Sequence, residues 1–377
     1  MKLFSIILIN VYFSISHSFR ISKLFTPKND KVLNPPEIKD ESCMISPHDH
    51  FQMSWYVVAE AANIKKNQPY KIIVWNKPYV IWKTETGEFT ALEDTCPHRG
   101  ASLSAGKITV NRVICPYHGY EFNHQGNLTI VPGQCFQHSS SHTCARFPIV
   151  ERHGWIYLNT NQIPSFATQS HIDILSSDIF IEPEATDKTM SLVHINTHFN
   201  TFARIVSENS LDIMHIAFVH TFGNQDKPAP SYDDPPKQIS QGHWKTSYVY
   251  ESGKQSMVHK IFNVKKIDID NEFSLPHTTI ARIKFGEGFV NTIVTAACPI
   301  NETSTQLFVK TYRNFFHGFL GDILFEKMMM NTLNEDKSII ETITIENMEG
   351  KFNMKFDKLQ NTYRTFYKHY IRNSSRV

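Results

Sequence analysis

The sequence predicts an α+β protein of two units: a β-rich unit in front, and an antiparallel sheet with grouped helices behind. Two observations lead there. Short apolar runs of strand character, each bounded by turn residues, fill residues 55–158. Longer runs between residues 190 and 312 are flanked by helical patterns at 202–215, 318–348 and 352–370. Strands and helices that segregate along a chain give α+β packing rather than an alternating parallel fold. The chain has 377 residues, enough for two domains of ordinary size, and its 41% hydrophobic and 20% charged residues are those of a globular protein.

Residues 1–50 read as leader and linker, with prolines at 27, 35, 36 and 47. Lys2 precedes an apolar run over 3–15, and Ser16-His17-Ser18 follows it. That is the pattern of a signal peptide, with an apolar region too short to span a bilayer. Phe19-Arg20-Ile21-Ser22-Lys23 then opens a basic stretch with little acid. A signal peptide followed by a transit-like segment resembles the bipartite leader of algae with secondary plastids, and implies a plastid protein. The alternative is a secretory leader or an anchor in the endoplasmic reticulum membrane. No later segment is long and apolar enough for a transmembrane helix.

The front unit, residues 51–163, offers strand runs at 55–59, 70–75, 79–83, 89–92, 120–122 and 155–158, separated by turns such as Asn76-Lys77-Pro78, Thr86-Gly87 and Gln125-Gly126. The second unit, 164–377, opens with an alternating strand at 190–200 and a helix at 202–215. Residues 227–236 hold four prolines and read as a loop. Strands are expected at 244–250, 257–264, 278–283, 289–297 and 306–312 before the helical patterns return.

Within the front unit, Cys96-Pro97-His98-Arg99-Gly100 and Cys115-Pro116-Tyr117-His118-Gly119 form two matching knuckles. Each offers one thiolate and one imidazole. Two such halves hold a two-iron, two-sulfur cluster with both Cys on one iron and both His on the other. Cys96 and His98 are two apart, so in an extended segment both side chains leave on one side. The prolines and glycines suit loops that wrap a cluster closely. Two Cys and two His also suit tetrahedral zinc, but zinc knuckles usually pair Cys with Cys and His with His. The mixed knuckles are the Rieske signature. Imidazole ligation raises the reduction potential, so the site reads as an electron relay that needs an acceptor.

About a hundred residues downstream, Asp212, His215 and His220 lie within Glu208–His220. Asp212 and His215, three apart, would share a helix face. His215 and His220, five apart, reach one metal only if the helix ends or bulges between them. A third ligand would complete a facial triad of two His and one carboxylate, the usual non-haem Fe(II) site. Asn334-Glu335-Asp336-Lys337-Ser338-Ile339-Ile340-Glu341 offers three carboxylates for it.

Taken together, these motifs resemble the catalytic subunit of the Rieske-type non-haem iron oxygenases over residues 50–350. The resemblance is to vanillate- and dicamba-type demethylases and, more distantly, to pheophorbide a and chlorophyllide a oxygenases. It implies a Rieske β domain followed by a helix-grip catalytic domain, with a [2Fe-2S] cluster on Cys96, His98, Cys115 and His118. It also implies a mononuclear Fe(II) on His215, His220 and Asp336, with Glu335 and Glu341 as the competing carboxylates. Asp212 matches the acid that bridges the two centres, accepting a hydrogen bond from the free ring nitrogen of His215. The family further implies O2-dependent hydroxylation, demethylation or desaturation of an apolar or aromatic small molecule. It implies a homotrimer fed by a ferredoxin or an NAD(P)H-dependent reductase. A pigment substrate and a pure electron-transfer protein are the competing functions. The plastid pigment oxygenases usually add a carboxy-terminal Cys-x-x-Cys, whereas the last Cys here is Cys298.

A formal charge of +2 gives no reason to expect a nucleic-acid partner. Beyond Cys96 and Cys115 the cysteines are Cys43, Cys135, Cys144 and Cys298, too sparse for a disulfide framework. Cys135 and Cys144 close a short loop and read as free or structural thiols. Gly286-Glu287-Gly288 lacks the third glycine and the helix start of a dinucleotide site, so the reductant must come from outside the chain.

Overall fold

Tight two-residue turns cut the front unit into short antiparallel strands. The computed structural model describes residues 54–133, 142–254 and 256–371. The expected leader, Cys43 and Cys135 lie outside them. β1 (Trp55–Glu60), β11 (Trp155–Asn159) and β10 (Ile149–Arg152) form a three-stranded sheet. β2 (Tyr70–Val74), β3 (Lys77–Lys83), β4 (Phe89–Glu93) and β9 (Arg146–Phe147) form a second. β5 (Lys107–Thr109), β6 (Arg112–Ile114), β7 (Glu121–Asn123) and β8 (Leu128–Ile130) form a third. The β2–β3, β5–β6 and β10–β11 hairpins turn on Trp75-Asn76, Val110-Asn111 and His153-Gly154, with positive φ at both residues. This is the type I′ geometry that matches strand twist, and it explains the Asn or Gly at each second position.

The second unit is built on an eight-stranded antiparallel sheet. Its order is β12 (Ser191–Phe199), β19 (Ser304–Arg313), β18 (Phe289–Asn301), β17 (Thr278–Phe285), β16 (Lys266–Ser274), β15 (His243–Glu251) and β13 (Tyr232–Asp233), with β14 (Lys237–Ser240) also on β15. Side chains alternate faces along a strand, and here the two faces have different partners. Ile280, Val294, Ala296, Phe308 and Tyr312, at even positions, pack into one core with Trp55, Val57, Tyr157 and Ile156 of the front unit. Ala297, Leu307 and Val309, at odd positions, pack with Ile205, Val206, Leu333 and Ile340 of the helices opposite. Each fully buried side chain of this size contributes about 1.5–3 kcal/mol, so both faces are strongly specified.

Four helices cover the odd face or its rim, and α1 (Gln169–Leu175) links the units. The four are α2 (Ala203–Leu211), α3 (Ile216–Val219), α5 (Phe319–Ile340) and α6 (Lys358–Tyr370). Among the described residues no helix is long and apolar enough to cross a membrane.

Several sequence expectations are corrected. The helix expected over 202–215 ends at Leu211, where Asp212 turns extended (φ −77°, ψ 120°). The strand expected at 257–264 is instead α4 (Met257–Phe262), capped by Ser256 Oγ accepting from the His259 N–H and closed by Asn263 in the left-handed region. Residues 227–236 include the short strand β13. The last helix begins at Lys358 rather than 352. β16 was not expected at all, because Asp268, Asp270 and Glu272 disfavour a strand on propensity. Two of those acids are stabilised across the sheet, Asp270 by Lys245 and Lys284 and Glu272 by Arg282 and His243.

Candidate functional site

Two loops of the front unit repeat one construction. In the first, the Cys96 N–H donates to Ala101 O (2.8 Å) and the Gly100 N–H donates to Cys96 O (2.8 Å). In the second, the Cys115 N–H donates to Tyr120 O (2.8 Å) and the Gly119 N–H donates to Cys115 O (3.0 Å). Gly100 and Gly119 carry φ of +73° and +71°, a conformation that explains the glycine at the end of each knuckle. Behind the first loop the buried Asp94 carboxylate accepts from the Ser104 N–H (2.6 Å) and from the Ser102 and Ser104 hydroxyls.

The loops place Cys96 and Cys115 in the core and His98 and His118 at the surface. The two Nδ1 atoms face each other at 3.2 Å. His98 stacks on Tyr120 and His118 on Tyr117. Burial raises the Cys96 pKa, and the adjacent Cys115 adds to it. Two sunken thiols and two imidazoles sharing one Nδ1 gap fit a cluster with a sulfur-ligated inner iron and an imidazole-ligated outer iron.

The second constellation forms where α2 stops. Asp212 Oδ1 accepts from the Met214 N–H (2.8 Å) and, at 3.4 Å, from the His215 N–H, which fixes the turn. His215 and His220 then stand at the two ends of the single-turn α3, so five residues of separation no longer turn them apart. Gly223 permits this packing: a Cβ there would lie 2.2 Å from Ile216 O. A Cβ on Gly253 would come equally close to Gly223 O.

Asp336 arrives from α5, on the face that also carries Met329, Leu333 and Ile340, the i, i+4, i+7, i+11 pattern of a core-facing helix. His215 Nε2 and His220 Nε2 are 3.2 Å apart, and Asp336 Oδ1 lies 3.4 and 3.5 Å from them. Donor atoms at right angles on a metal with bonds of about 2.1 Å stand about 3.0 Å apart, close to this triangle. Asp336 Oδ1 is buried with no hydrogen-bond partner, an orphaned acceptor that a cation would satisfy. Burial opposes a proton on either imidazole. For His215 the Asp336 carboxylate, with Asp212 behind it, outweighs burial and raises the pKa; for His220 burial prevails and lowers it, with His215 adding to the effect.

The remaining ring nitrogens are also held. His220 Nδ1 lies 3.0 Å from Glu335 Oε2, and Phe222 stacks on the ring at 4.8 Å. His215 Nδ1 lies 2.7 Å from the backbone carbonyl of Asp212. The hydrogen bond expected between this nitrogen and the Asp212 carboxylate is therefore not formed: the nitrogen pairs with the Asp212 carbonyl, while carboxylate Oδ1 accepts in the turn. Of the two competing carboxylates, Glu335 orients His220, and Glu341 Oε1 accepts from the Asn200 N–H (2.7 Å). Neither the orienting role of Glu335 nor that of the Asp212 carbonyl was evident from spacing.

A cavity of about 210 Å³ opens beside His215, His220 and Asp336. Its far walls are the odd face of the sheet, with Ile267, Ile269, Ala281, Ile283 and Ile293, and α5, with Met329 and Leu333. Gly286 and Gly288, the glycines of the weak dinucleotide motif, form the β17–β18 hairpin turn with φ of +56° and +92°.

Residues 54–140 match the Rieske [2Fe-2S] domain, and residues 199–373 match the vanillate O-demethylase oxygenase C-terminal domain. The chain is 28% identical to chloroplastic pheophorbide a oxygenase of Oryza sativa subsp. japonica, over 70% of this chain and 49% of that protein. It is 28% identical to chloroplastic chlorophyllide a oxygenase of Chlamydomonas reinhardtii, over 44% of this chain and 24% of that one. The chain thus spans between a quarter and a half of these relatives' lengths. The solved structure of Pseudomonas putida CBB5 NdmA with caffeine superposes with a TM-score of 0.70 at 21% identity, covering 87% of this chain and 94% of that one. At that identity the likeness establishes the shared fold.

Proposed function

The chain belongs to the Rieske non-haem iron oxygenases, with the family's cluster domain followed by its catalytic domain, and from that premise we propose that it oxidises an apolar or aromatic small molecule with O2. The observation that carries the reading is the convergence of His215, His220 and Asp336 on one point, with a buried unpartnered carboxylate oxygen, at the wall of an apolar cavity. Cys96, Cys115, His98 and His118 would hold the [2Fe-2S] cluster, and His215, His220 and Asp336 the mononuclear iron. Bound there, the two groups supply single-electron storage and reductive activation of O2 respectively.

The chain's own residues prepare both sites. Glu335 and the Asp212 carbonyl each accept from an Nδ1–H, which leaves Nε2 of His220 and His215 as lone-pair donors toward the metal point. The isoleucine walls exclude water from the side facing the sheet. Asp212, only partly buried, keeps its second carboxylate oxygen available to a neighbouring subunit's cluster domain in a homotrimer. Electrons enter from a ferredoxin or a separate NAD(P)H-dependent reductase. Kinship with two chloroplastic enzymes and the basic leader together support a plastid location and a pigment-derived substrate. Hydroxylation, demethylation and desaturation are all open to this site.

Metal analysis of the purified chain tests the reading. Three irons per chain and a histidine-ligated cluster spectrum are expected. Two irons, with the second site refusing ferrous ion, would make it an electron carrier.

A further inference from the structure

Several polar groups around the cavity are committed elsewhere. The hydroxyls of Ser210, Ser252 and Thr332 donate to the carbonyls of Val206, Val264 and Met328. The Ser256 and Tyr250 oxygens accept the N–H groups of His259 and Asn224 and keep their own O–H hydrogens, and Asn209 brings a carboxamide from α2. Thr279 and Thr295 form a hydroxyl pair on the central strands of the sheet wall. They are directly paired across β17 and β18, both buried, and their Oγ1 atoms lie 2.6 Å apart. Two hydroxyls that bond to each other leave one O–H hydrogen over. Both residues are at odd positions, so they face the cavity they line.

Charge is the other constraint. No lysine or arginine is among the described residues that line the cavity. The cations of the neighbouring strands are committed to acids: Arg282 to Glu184, Lys310 to Glu182, and Lys245 and Lys284 to Asp270. Apart from an iron held by His215, His220 and Asp336, a carboxylate pushed into this space would find no counter-ion, and burying it unpaired is strongly unfavourable. The volume, about 210 Å³, lies below the roughly 300–1,000 Å³ of ordinary ligand pockets.

We propose that the part of the substrate entering the cavity is an uncharged apolar group of one or two rings' bulk, bearing one oxygen acceptor that docks on the Thr279–Thr295 hydroxyl pair. The proposal rests on the oxygenase reading and narrows its substrate class. Charged or bulkier portions of the same molecule stay outside.

Three probes of matched shape test it on the cluster- and iron-loaded full chain, by anaerobic calorimetry: 2-acetylnaphthalene, 2-naphthoate and 2-ethylnaphthalene. The ketone is expected to bind at least about tenfold more tightly than the carboxylate, and roughly two- to twelvefold more tightly than the hydrocarbon, the range of one neutral hydrogen bond. In T279V/T295V the ketone should fall to the level of the hydrocarbon, and T279S/T295S should restore it. A carboxylate that binds as well as the ketone overturns the proposal, as does a ketone indifferent to T279V/T295V. Failure of both neutral probes to bind iron-replete protein also overturns it. Iron content and cluster spectrum are recorded on the same samples. Their absence would sink the oxygenase reading itself, whatever the order of the probes.

Discussion

Removing the hydrogen bond behind His220 gives a graded test of the metal site. Glu335 Oε2 lies 3.0 Å from His220 Nδ1, and the Glu335 side chain is about a quarter exposed. A hydrogen bond to a charged group is worth about 1.5–3 kcal/mol when shielded, and exposure screens part of that. A loss of about 1.5–2 kcal/mol is expected for Glu335→Ala, or about 10–30-fold weaker ferrous binding. This sits at the low end of the effects usual for partners behind a metal ligand. On the proposed assignment Asp336→Ala removes a ligand outright and should leave two imidazoles that retain no iron through gel filtration. Both variants should keep normal cluster absorption, which serves as the folding control. Ferrous titration of apo-protein with a colorimetric chelator as competitor gives the numbers. Iron retained by Asp336→Ala and lost from Glu335→Ala would exchange the two roles. Parent affinity in Glu335→Ala would refute the claim that this carboxylate fixes the imidazole.

Asp212 separates a structural from an electronic role. Asp212→Ala loses the turn bonds to Met214 and His215 and should weaken iron binding as well as turnover, whereas Asp212→Asn keeps an acceptor and should bind iron normally yet lose O2-dependent turnover; normal turnover in Asp212→Asn would reduce the residue to a turn former. His277 gives a pH signature in stability. Burial holds its pKa down at about 3, and its Nε2 accepts the Val57 N–H at 3.0 Å, which requires the neutral ring. Between pH 6.5 and 3 the unfolded chain takes a proton that the folded chain refuses, so stability falls as pH falls, by about 1.4 kcal/mol per pH unit and about 2 kcal/mol between pH 6.5 and 5. Denaturant titrations of His277→Gln should show a shallower slope over that window, and an identical slope would remove His277 as its source.

The cluster loops were legible because their chemistry is local. Cys, His, Pro and Gly within five residues dictate both ligands and turn. The mononuclear site was only half legible. The sequence names His215 and His220, but the break at Asp212 that brings them together depends on a side chain bonding backbone two residues on, and a regular helical period predicts the opposite geometry. Asp336 and Glu335 are neighbours in one acidic run, and only the docking of α5 on the sheet decides which faces the metal point. The 257–264 segment failed for a related reason: Met257-Val258-His259-Lys260-Ile261-Phe262 has strand-like residues, yet a serine cap and a left-handed asparagine close it as one and a half turns of helix.

The sheet itself explains why the two centres belong to one body. Its even face carries the front unit, and its odd face carries the cavity and the helices that bring His215, His220 and Asp336 to it. A shift of one residue in any central strand would exchange the two. The joint is further specified by charge. Lys310, fully buried, lies 2.9 Å from Glu182 and 4.2 Å from the centre of the Trp155 ring, and the Tyr312 hydroxyl donates to the same glutamate at 2.5 Å. An ion pair this deep adds little net stability over apolar packing, because both charges surrender their hydration. It is costly to break, however, and only the observed register satisfies it. Backbone bonds from Trp75 and Asn76 to Pro299 and Ile300 add a second fixed point. On the proposed function the cluster domain must hold a fixed place relative to the iron site, and this interface trades stability for a single admissible position.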